Sequence, residues 1–208
     1  NFFVYRKSDY LVGASEKVTL NWSIFLNKKK NIKTINNGLS NKEYLIIKNT
    51  PKTLSESLKI LWLGRFEKVK NPILLIEALD KIINKDKKID LFIIGNGSLY
   101  KKLKLKIKTF KEKRENKNIY IKLYTQMNRK TVLNNVGNAQ IFINTSSSEA
   151  FCNAAMEALA NKNCNLLLPD LETLKELYSF NNVIFYKKNS LQELAQKLDA
   201  LIKKTNSE

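Results

Sequence analysis

Residues 139–160 read AQIFINTSSSEAFCNAAMEALA, and this stretch indicates the fold of the chain. Its first part, AQIFIN, has the length and composition of a buried strand. Its last part, residues 151–160, is rich in Ala, Leu, Met and Glu, which favour a helix. The serines between them are typical of turns and helix caps, because their hydroxyls bond nearby backbone amides. The stretch predicts a strand, a loop and a helix, with Glu149 at the strand's carboxyl end and Glu157 on the second helical turn.

The same alternation of strands and helices continues on both sides of this stretch. Strands are predicted at 59–64, 89–95, 118–124, 165–168 and 183–186, and helices at 71–84, 99–117, 128–137, 170–178 and 190–204. Ser98 is a candidate cap for the second of these helices. The pattern predicts an α/β fold, a doubly wound domain with a mostly parallel sheet. Ligands of such a sheet bind at the carboxyl ends of its strands, so residues directly after strands are candidates for a site.

The domain organisation follows from changes in composition along the chain. Residues 1–40 carry a short strand-like segment, a helical segment and an Asn-Gly turn, and we interpret them as the end of an N-terminal domain. Residues 41–58 are predicted to be a linker, because their second half is polar and contains proline. Residues 59–208 form the predicted α/β domain. Because the chain begins without methionine, we expect it to be the tail of a longer protein.

Histidine is absent from the 208 residues, which excludes several kinds of site from this chain. Ser-His-Asp and Cys-His nucleophilic sites, HExxH metal sites and an imidazole general base all require it. Cys152 and Cys164 form neither a CxxC pair nor a disulfide framework, which is typical of a reducing compartment. Chemistry in this chain therefore falls to carboxylates, lysines, arginines and backbone dipoles.

The net charge of +18 leaves two interpretations open. A basic surface attracts nucleic acid or membrane, whereas a general bias toward Lys, Asn and Ile leaves most lysines merely solvated. Residues 100–117 concentrate the charge: as a helix they place Leu103, Ile107 and Phe110 on one face and lysines on most of the rest. This helix either only packs on the sheet or also attracts an anionic membrane surface. No aromatic-basic stacking motif supports nucleic-acid binding.

Two basic residues follow the first strand of the α/β domain. Arg65 comes directly after Gly64, and Lys70 lies five residues further on. A guanidinium and an ammonium at a strand's carboxyl edge suit a phosphate or pyrophosphate group. Arginine is scarce, with four residues in the chain, so its use here is informative. The plain alternative is that Lys70 starts an exposed helix in a lysine-rich chain.

Two carboxylates and a helix start complete the candidate site. The amides and dipole at a helix start near residue 151 favour an anion. Glu149 and Glu157 would instead accept hydrogen bonds from vicinal hydroxyls, as in a ribose or hexose. Phosphate together with two sets of sugar hydroxyls describes a nucleotide sugar. Alternatively, Glu157 is a solvated helix-face residue and Glu149 only lies favourably near the helix dipole.

These segments together resemble a known family. GRFEKVK (64–70), NPILLIEAL, IDLFIIGNG and SSSEAFCNAAMEALA are similar to the carboxyl-terminal, donor-binding domain of retaining glycosyltransferases of family four, which have the GT-B fold. The family pattern is Gly-Arg, a lysine five residues beyond the arginine, and Glu-x7-Glu. It is present here as Arg65, Lys70, Glu149 and Glu157.

The resemblance implies transfer of a hexose-type sugar, with retention, from a nucleoside diphosphate sugar to a glycan or lipid-linked acceptor, as in polysaccharide biosynthesis. It implies that Arg65 and Lys70 hold the diphosphate, that Glu149 lies near the transferred sugar, and that Glu157 holds the ribose. The remaining donor-binding candidates are Gly64, Phe151, Cys152 and Asn153. We expect no metal and no cofactor besides the donor, and a cytoplasmic protein that can contact the inner face of a membrane.

This chain departs from the family pattern at two loops. The family often has Gly-Phe-Gly or Gly-Phe-Pro-Asn after the first glutamate, where this chain has residues 150–153, Ala-Phe-Cys-Asn. The later small-residue segment, usually containing Gly and Pro, is Asn-Lys-Asn-Cys-Asn at 161–165. A catalytically inactive partner subunit is therefore an alternative, and a basic nucleic-acid-binding module is a weaker one. With only a remnant of the acceptor-side domain, the chain alone is expected to transfer little sugar.

Overall fold

The computed structural model describes residues 9–26, 31–51, 56–82, 87–113 and 117–205. The described strands are β1 (Leu11–Gly13), β2 (Ile32–Thr34), β3 (Leu58–Leu63), β4 (Ile89–Ile94), β5 (Ile119–Tyr124), β6 (Ile141–Ile143), β7 (Asn165–Pro169) and β8 (Val183–Tyr186). The described helices are α1 (Glu16–Phe25), α2 (Asn41–Lys48), α3 (Pro72–Asp80), α4 (Tyr100–Lys111), α5 (Arg129–Asn138), α6 (Asn153–Leu159), α7 (Glu172–Leu177) and α8 (Leu191–Lys204).

Six parallel strands form the main sheet, in the order β5-β4-β3-β6-β7-β8. Helices α3, α4 and α8 pack on one face, and α2, α5, α6 and α7 pack on the other. The predicted doubly wound parallel-sheet fold is therefore confirmed. The strand order reverses between β3 and β6, and the crevice at such a reversal is where open α/β sheets bind ligands.

The composition of the central strand explains why both faces are covered. In β3, Ile60 and Trp62 pack into the core under one layer of helices, while Leu61 packs under the other. Successive side chains of a strand point to opposite faces, so a strand buried on both faces must be apolar at every inward position. The run LKILWL therefore suits only the middle of a sheet covered by helices on both sides.

A smaller unit precedes the main sheet. β1 and β2 pair in parallel with Leu11 opposite Ile32, and α1 connects them. The backbone amides of Glu16 and Lys17, at the start of α1, donate hydrogen bonds of 2.7 and 3.0 Å to the carboxylate of Glu176 at the end of α7. A carboxylate at a helix amino end is favourable, so this contact attaches the small unit to the main sheet domain.

The predicted linker contains a packed helix. α2 begins with a capping box, in which the Ser40 side chain accepts from the Glu43 amide and the Glu43 carboxylate accepts from the Ser40 amide. Ile47 is buried in the same core cluster as Val132 of α5. Residues 41–48 thus belong to the folded body, while 52–55 lie outside the described residues. The domain boundaries themselves stay a prediction.

Two predicted helix starts are wrong. α6 begins at Asn153, because the preceding Cys152 has a left-handed backbone with φ 69° and ψ 73°. α4 begins at Tyr100 without a Ser98 cap, because the Ser98 amide and hydroxyl both donate to the Glu67 carboxylate, at 3.0 and 2.8 Å. Within the described ranges, every helix is too short or too polar to traverse a lipid bilayer.

Candidate functional site

The segment after β3 and the segment after β6 meet at the point where the strand order reverses. The Ser147 amide donates to the Val69 carbonyl at 2.8 Å. The Thr145 hydroxyl donates to the Lys70 carbonyl at 2.8 Å and accepts from the Trp62 indole at 2.9 Å. These bonds fix the two segments against each other across 75 or more residues of sequence.

Glu149 is the most heavily bonded side chain of this edge. Lys70 Nζ lies 2.6 Å from both of its carboxylate oxygens, and its Oε1 also accepts from Asn144 Nδ2 at 3.0 Å and from Ser146 Oγ at 2.7 Å. The Glu149 side chain is 5% exposed and that of Lys70 is 21% exposed. The structure therefore brings two of the predicted residues together, and Lys70 is not a solvated lysine at a helix start.

Arg65 is exposed at the same edge. Among the described residues its guanidinium has no hydrogen-bond or ion-pair partner. Its loop is nevertheless fixed, because the Phe66 amide donates to the Asn96 carbonyl at 2.8 Å and Glu67 binds Ser98. The hydrogen bonds from the Ser98 amide and hydroxyl lower the pKa of Glu67. The arrangement presents an unpaired cation on an ordered loop.

The loop after β4 explains how the Arg65 loop is supported. A Cβ on Gly95 would lie 1.8 Å from the carbonyl oxygen of Gly64, so no other residue fits at this position without a shift. The sequence analysis did not assign this packing role to Gly95. A glycine directly after a strand neighbouring β3 was the signal that could have identified it.

Glu157 is buried, and the interpretation of it as a solvated helix-face residue is wrong. Its side chain is 7% exposed, and its Oε1 accepts from Arg129 Nη2 at 2.8 Å. Its Oε2 is also buried and finds no hydrogen-bond partner among the described residues. The sequence analysis did not assign Arg129 to the site, although arginine is scarce in this chain. The hydrogen bond to Glu157 raises the pKa of Arg129.

The residues at the start of α6 differ in their surroundings. Phe151 and Cys152 are each 8% exposed, and the Tyr178 hydroxyl donates to both of their carbonyls at 2.9 Å. Burial, with the neighbouring Glu149 charge, raises the pKa of the Cys152 thiol to about 12. Asn153 accepts a 2.7 Å hydrogen bond from Asn37 of the small N-terminal unit. Phe151 and Cys152 therefore shape the loop from within, and Asn153 lies where the two units meet.

A polar cleft lies next to Glu149, between α1 and the main sheet. Its volume is about 630 Å³. Ser147, Ser148 and Glu149 line one side, and Lys17 and Asn21 of α1 line another. In the described part of the chain, no group of three or more His, Cys, Asp and Glu side chains is placed to hold a metal ion. The cleft offers hydroxyl, carboxylate and ammonium groups to a hydrophilic ligand.

Comparison with known structures identifies relatives of this fold. A TarM variant from S. aureus, in complex with fondaparinux, alpha-GlcNAc-glycerol and UDP, is 22% identical with a TM-score of 0.75, over 95% of this chain and 38% of TarM. A Rickettsia africae glycosyltransferase is 21% identical with a TM-score of 0.76, over 97% of this chain and 56% of that one. Anabaena HepE, in complex with UDP and glucose, is 17% identical with a TM-score of 0.75, over 97% of this chain and 55% of HepE.

The chain spans less than two thirds of the length of each of these proteins. The likeness confirms the GT-B-type fold. A comparison with curated proteins found no match. The model of the family described as "Glycosyl transferases group 1" matches residues 46–208, which is most of the chain. The chain therefore belongs to the group 1 glycosyl transferases.

Proposed function

We propose that this chain is the donor-binding half of a retaining glycosyltransferase. Its reaction moves a hexose-type sugar from a nucleoside diphosphate sugar to a glycan or lipid-linked acceptor, as in polysaccharide biosynthesis. The observation that carries the proposal is the Lys70–Glu149 ion pair at the strand reversal, on the same sheet edge as the unpaired Arg65. Membership of the group 1 glycosyl transferases supports it.

The basic residues suit a diphosphate. Cleavage of the glycosyl–phosphate bond leaves negative charge on the departing diphosphate, and preorganised cations lower the energy of that transition state. Arg65 supplies a guanidinium to which no described residue forms a hydrogen bond or an ion pair. Lys70 has three N–H donors, of which the two Glu149 oxygens take two, so one stays available for a phosphate oxygen. The two side chains act without a metal in this proposal.

The carboxylates suit the sugar parts of the donor. Glu149 is held by Lys70, Asn144 and Ser146, which fixes its charge beside the transferred sugar. A buried acceptor without a donor costs about 1–3 kcal/mol, and a ribose hydroxyl would relieve that cost at Glu157 Oε2. Attack by the acceptor on the face that the diphosphate leaves gives retention and needs no nucleophile from the protein. This mechanism agrees with a chain that has no histidine.

The structures of TarM and HepE that contain UDP make uridine nucleotides the first donors to test. Titration calorimetry with UDP, ADP, GDP and CDP measures the affinity for each. We expect Arg65→Ala to weaken binding of the preferred diphosphate by about ten- to a hundredfold, since one charge-assisted contact is lost. Lys68→Ala, which removes a charge from the same loop, is the matched control and should leave the affinity unchanged. Failure of all four nucleotides to bind would overturn the proposal.

We also propose a cytoplasmic location with contact to an anionic membrane through α4. Leu103, Ile107 and Phe110 of this helix are buried as predicted, whereas Leu105 is 64% exposed. The exposed lysines around Leu105 are Lys101, Lys102, Lys104, Lys108 and Lys111. Each lysine near an anionic surface contributes about 1 kcal/mol of attraction, and salt screens it.

Liposome sedimentation tests the membrane proposal. We expect binding to vesicles with anionic lipid at low salt, weaker binding at physiological salt, and none to neutral vesicles. Lysine-to-glutamate changes at positions 104, 108 and 111 should abolish it. Adsorption that ignores lipid charge or survives these changes would refute the membrane role.

A further inference from the structure

Two side chains outside the predicted site connect Glu157 to helix α2. Arg129, the first residue of α5, donates from Nε to Glu43 Oε1 at 2.9 Å and from Nη2 to Glu157 Oε1 at 2.8 Å. Glu43 is itself fixed, because its Oε2 accepts from the Ser40 hydroxyl at 2.8 Å within the capping box of α2. The three side chains form a continuous series, Glu43–Arg129–Glu157, that spans three helices.

The contact between Arg129 and Glu157 uses one oxygen of the carboxylate. A guanidinium commonly binds both oxygens of a carboxylate with two parallel N–H donors. Here Nε, one of the donors that such a fork would use, is directed to Glu43 instead. Glu157 Oε2 is buried and without a partner among the described residues. With Nε bound to Glu43, the fork of Nε and Nη2 is not available to Glu157, and Arg129 contacts one of the two carboxylate oxygens.

We propose that Arg129 and Glu43 are positioning residues for ribose recognition, which together hold Glu157 with one carboxylate oxygen that has no protein donor and can accept from a ribose hydroxyl. This inference rests on the proposed function, because it assigns Glu157 to the ribose of the donor. Arg129 fixes the direction of the Glu157 side chain and compensates its charge. Glu43 holds the Nε of Arg129 away from the second oxygen of Glu157, so a helix of the predicted linker takes part in the site.

A purely structural role would give a different result. If Arg129 only ties α2, α5 and α6 together, its loss affects nucleotides with and without ribose hydroxyls equally. If it positions Glu157, its loss affects only nucleotides that carry those hydroxyls. The ratio of the two affinities, rather than either affinity alone, separates the roles.

Calorimetry with two ligands measures this ratio. The ligands are the most tightly bound of UDP, ADP, GDP and CDP, and the 2′,3′-dideoxy form of the same nucleotide. We expect the unsubstituted protein to prefer the hydroxylated nucleotide by about ten- to a hundredfold. Arg129→Gln should reduce the preference to about threefold or less, and Glu43→Gln should reduce it by about three- to tenfold, with the dideoxy affinity unchanged. Arg129→Lys should restore part of the preference.

Lys130→Gln removes a charge from the next residue of the same helix and is the matched control, expected to keep the full preference. Thermal melts monitor folding; should Arg129→Gln unfold the chain, Glu43→Gln carries the test, since it retains the Arg129–Glu157 bond. An undiminished preference in the Glu43 and Arg129 variants would overturn the inference and leave the proposed function intact. No preference in the unsubstituted protein would remove Glu157 from the ribose site. Absence of any nucleotide binding would overturn the proposed function and the inference together.

Discussion

Glu149→Gln tests how strongly the buried ion pair stabilises the edge of the sheet. The substitution keeps the size of the side chain and removes its charge. Lys70, whose side chain is 21% exposed, then lacks its carboxylate partner. The new amide NH₂ group also faces donors, because Lys70, Asn144 and Ser146 all donate to the carboxylate.

The expected loss of stability follows from these contacts. Hydrogen bonds to a charged group contribute about 1.5–3 kcal/mol each, and removing one member of a buried pair costs about 3–5 kcal/mol. Because Lys70 reaches solvent, water restores part of its hydration, and we expect a net loss of about 2–4 kcal/mol. For a chain of this length, that lowers Tm by about 5–15 °C.

Thermal and urea denaturation followed by circular dichroism measure the effect. The matched control is Glu172→Gln, which breaks an ion pair with Lys17 on the surface, where Glu172 is 73% exposed; it should change the free energy of unfolding by less than about 0.5 kcal/mol. The double variant Lys70→Met, Glu149→Gln should lose less stability than the sum of the losses in the two single variants. Each single variant leaves one charge unpaired, whereas the double variant leaves none. Equal stability of the Glu149 and Glu172 variants would refute the reasoning.

Two further predictions concern the loops around the site. Gly95→Ala should lower the free energy of unfolding in urea by at least about 2 kcal/mol, because its Cβ would lie 1.8 Å from the Gly64 carbonyl oxygen. The control is Gly38→Ala, whose Cβ would have no atom within 4 Å. Cys152 should resist thiol reagents at pH 8 in the folded chain, since burial raises its pKa to about 12. Rapid labelling of the native protein at pH 8 would contradict this expectation. The thiol of the unfolded chain ionises near pH 9, so the contribution of the buried thiol to stability is complete below that pH and is lost as the pH rises toward 12.

The sequence predicted local features well and long-range pairings poorly. β8 has the predicted bounds, because VIFY is apolar and β-branched or aromatic throughout. Glu149 was placed after β6 by the same local signals. The Lys70–Glu149 bond joins residues 79 positions apart, and it depends on the strand order, which no local pattern encodes. Ser98 failed as a helix cap because Glu67, 31 positions away, binds both of its donors.

The pairing of Lys70 with Glu149 also affects which anions the empty protein attracts. In a chain with a net charge of +18, phosphate and polyanions accumulate near the surface. A pocket with two unpaired cations would trap such ions and compete with its own ligand. Glu149 neutralises Lys70 before a ligand binds, and Arg65 is the predicted diphosphate-binding cation that has no hydrogen-bond or ion-pair partner among the described residues. A small inorganic anion gains one strong contact with Arg65, whereas a longer ligand adds contacts along its length. The pairing of Lys70 with Glu149 therefore favours binding of extended ligands over binding of abundant small anions.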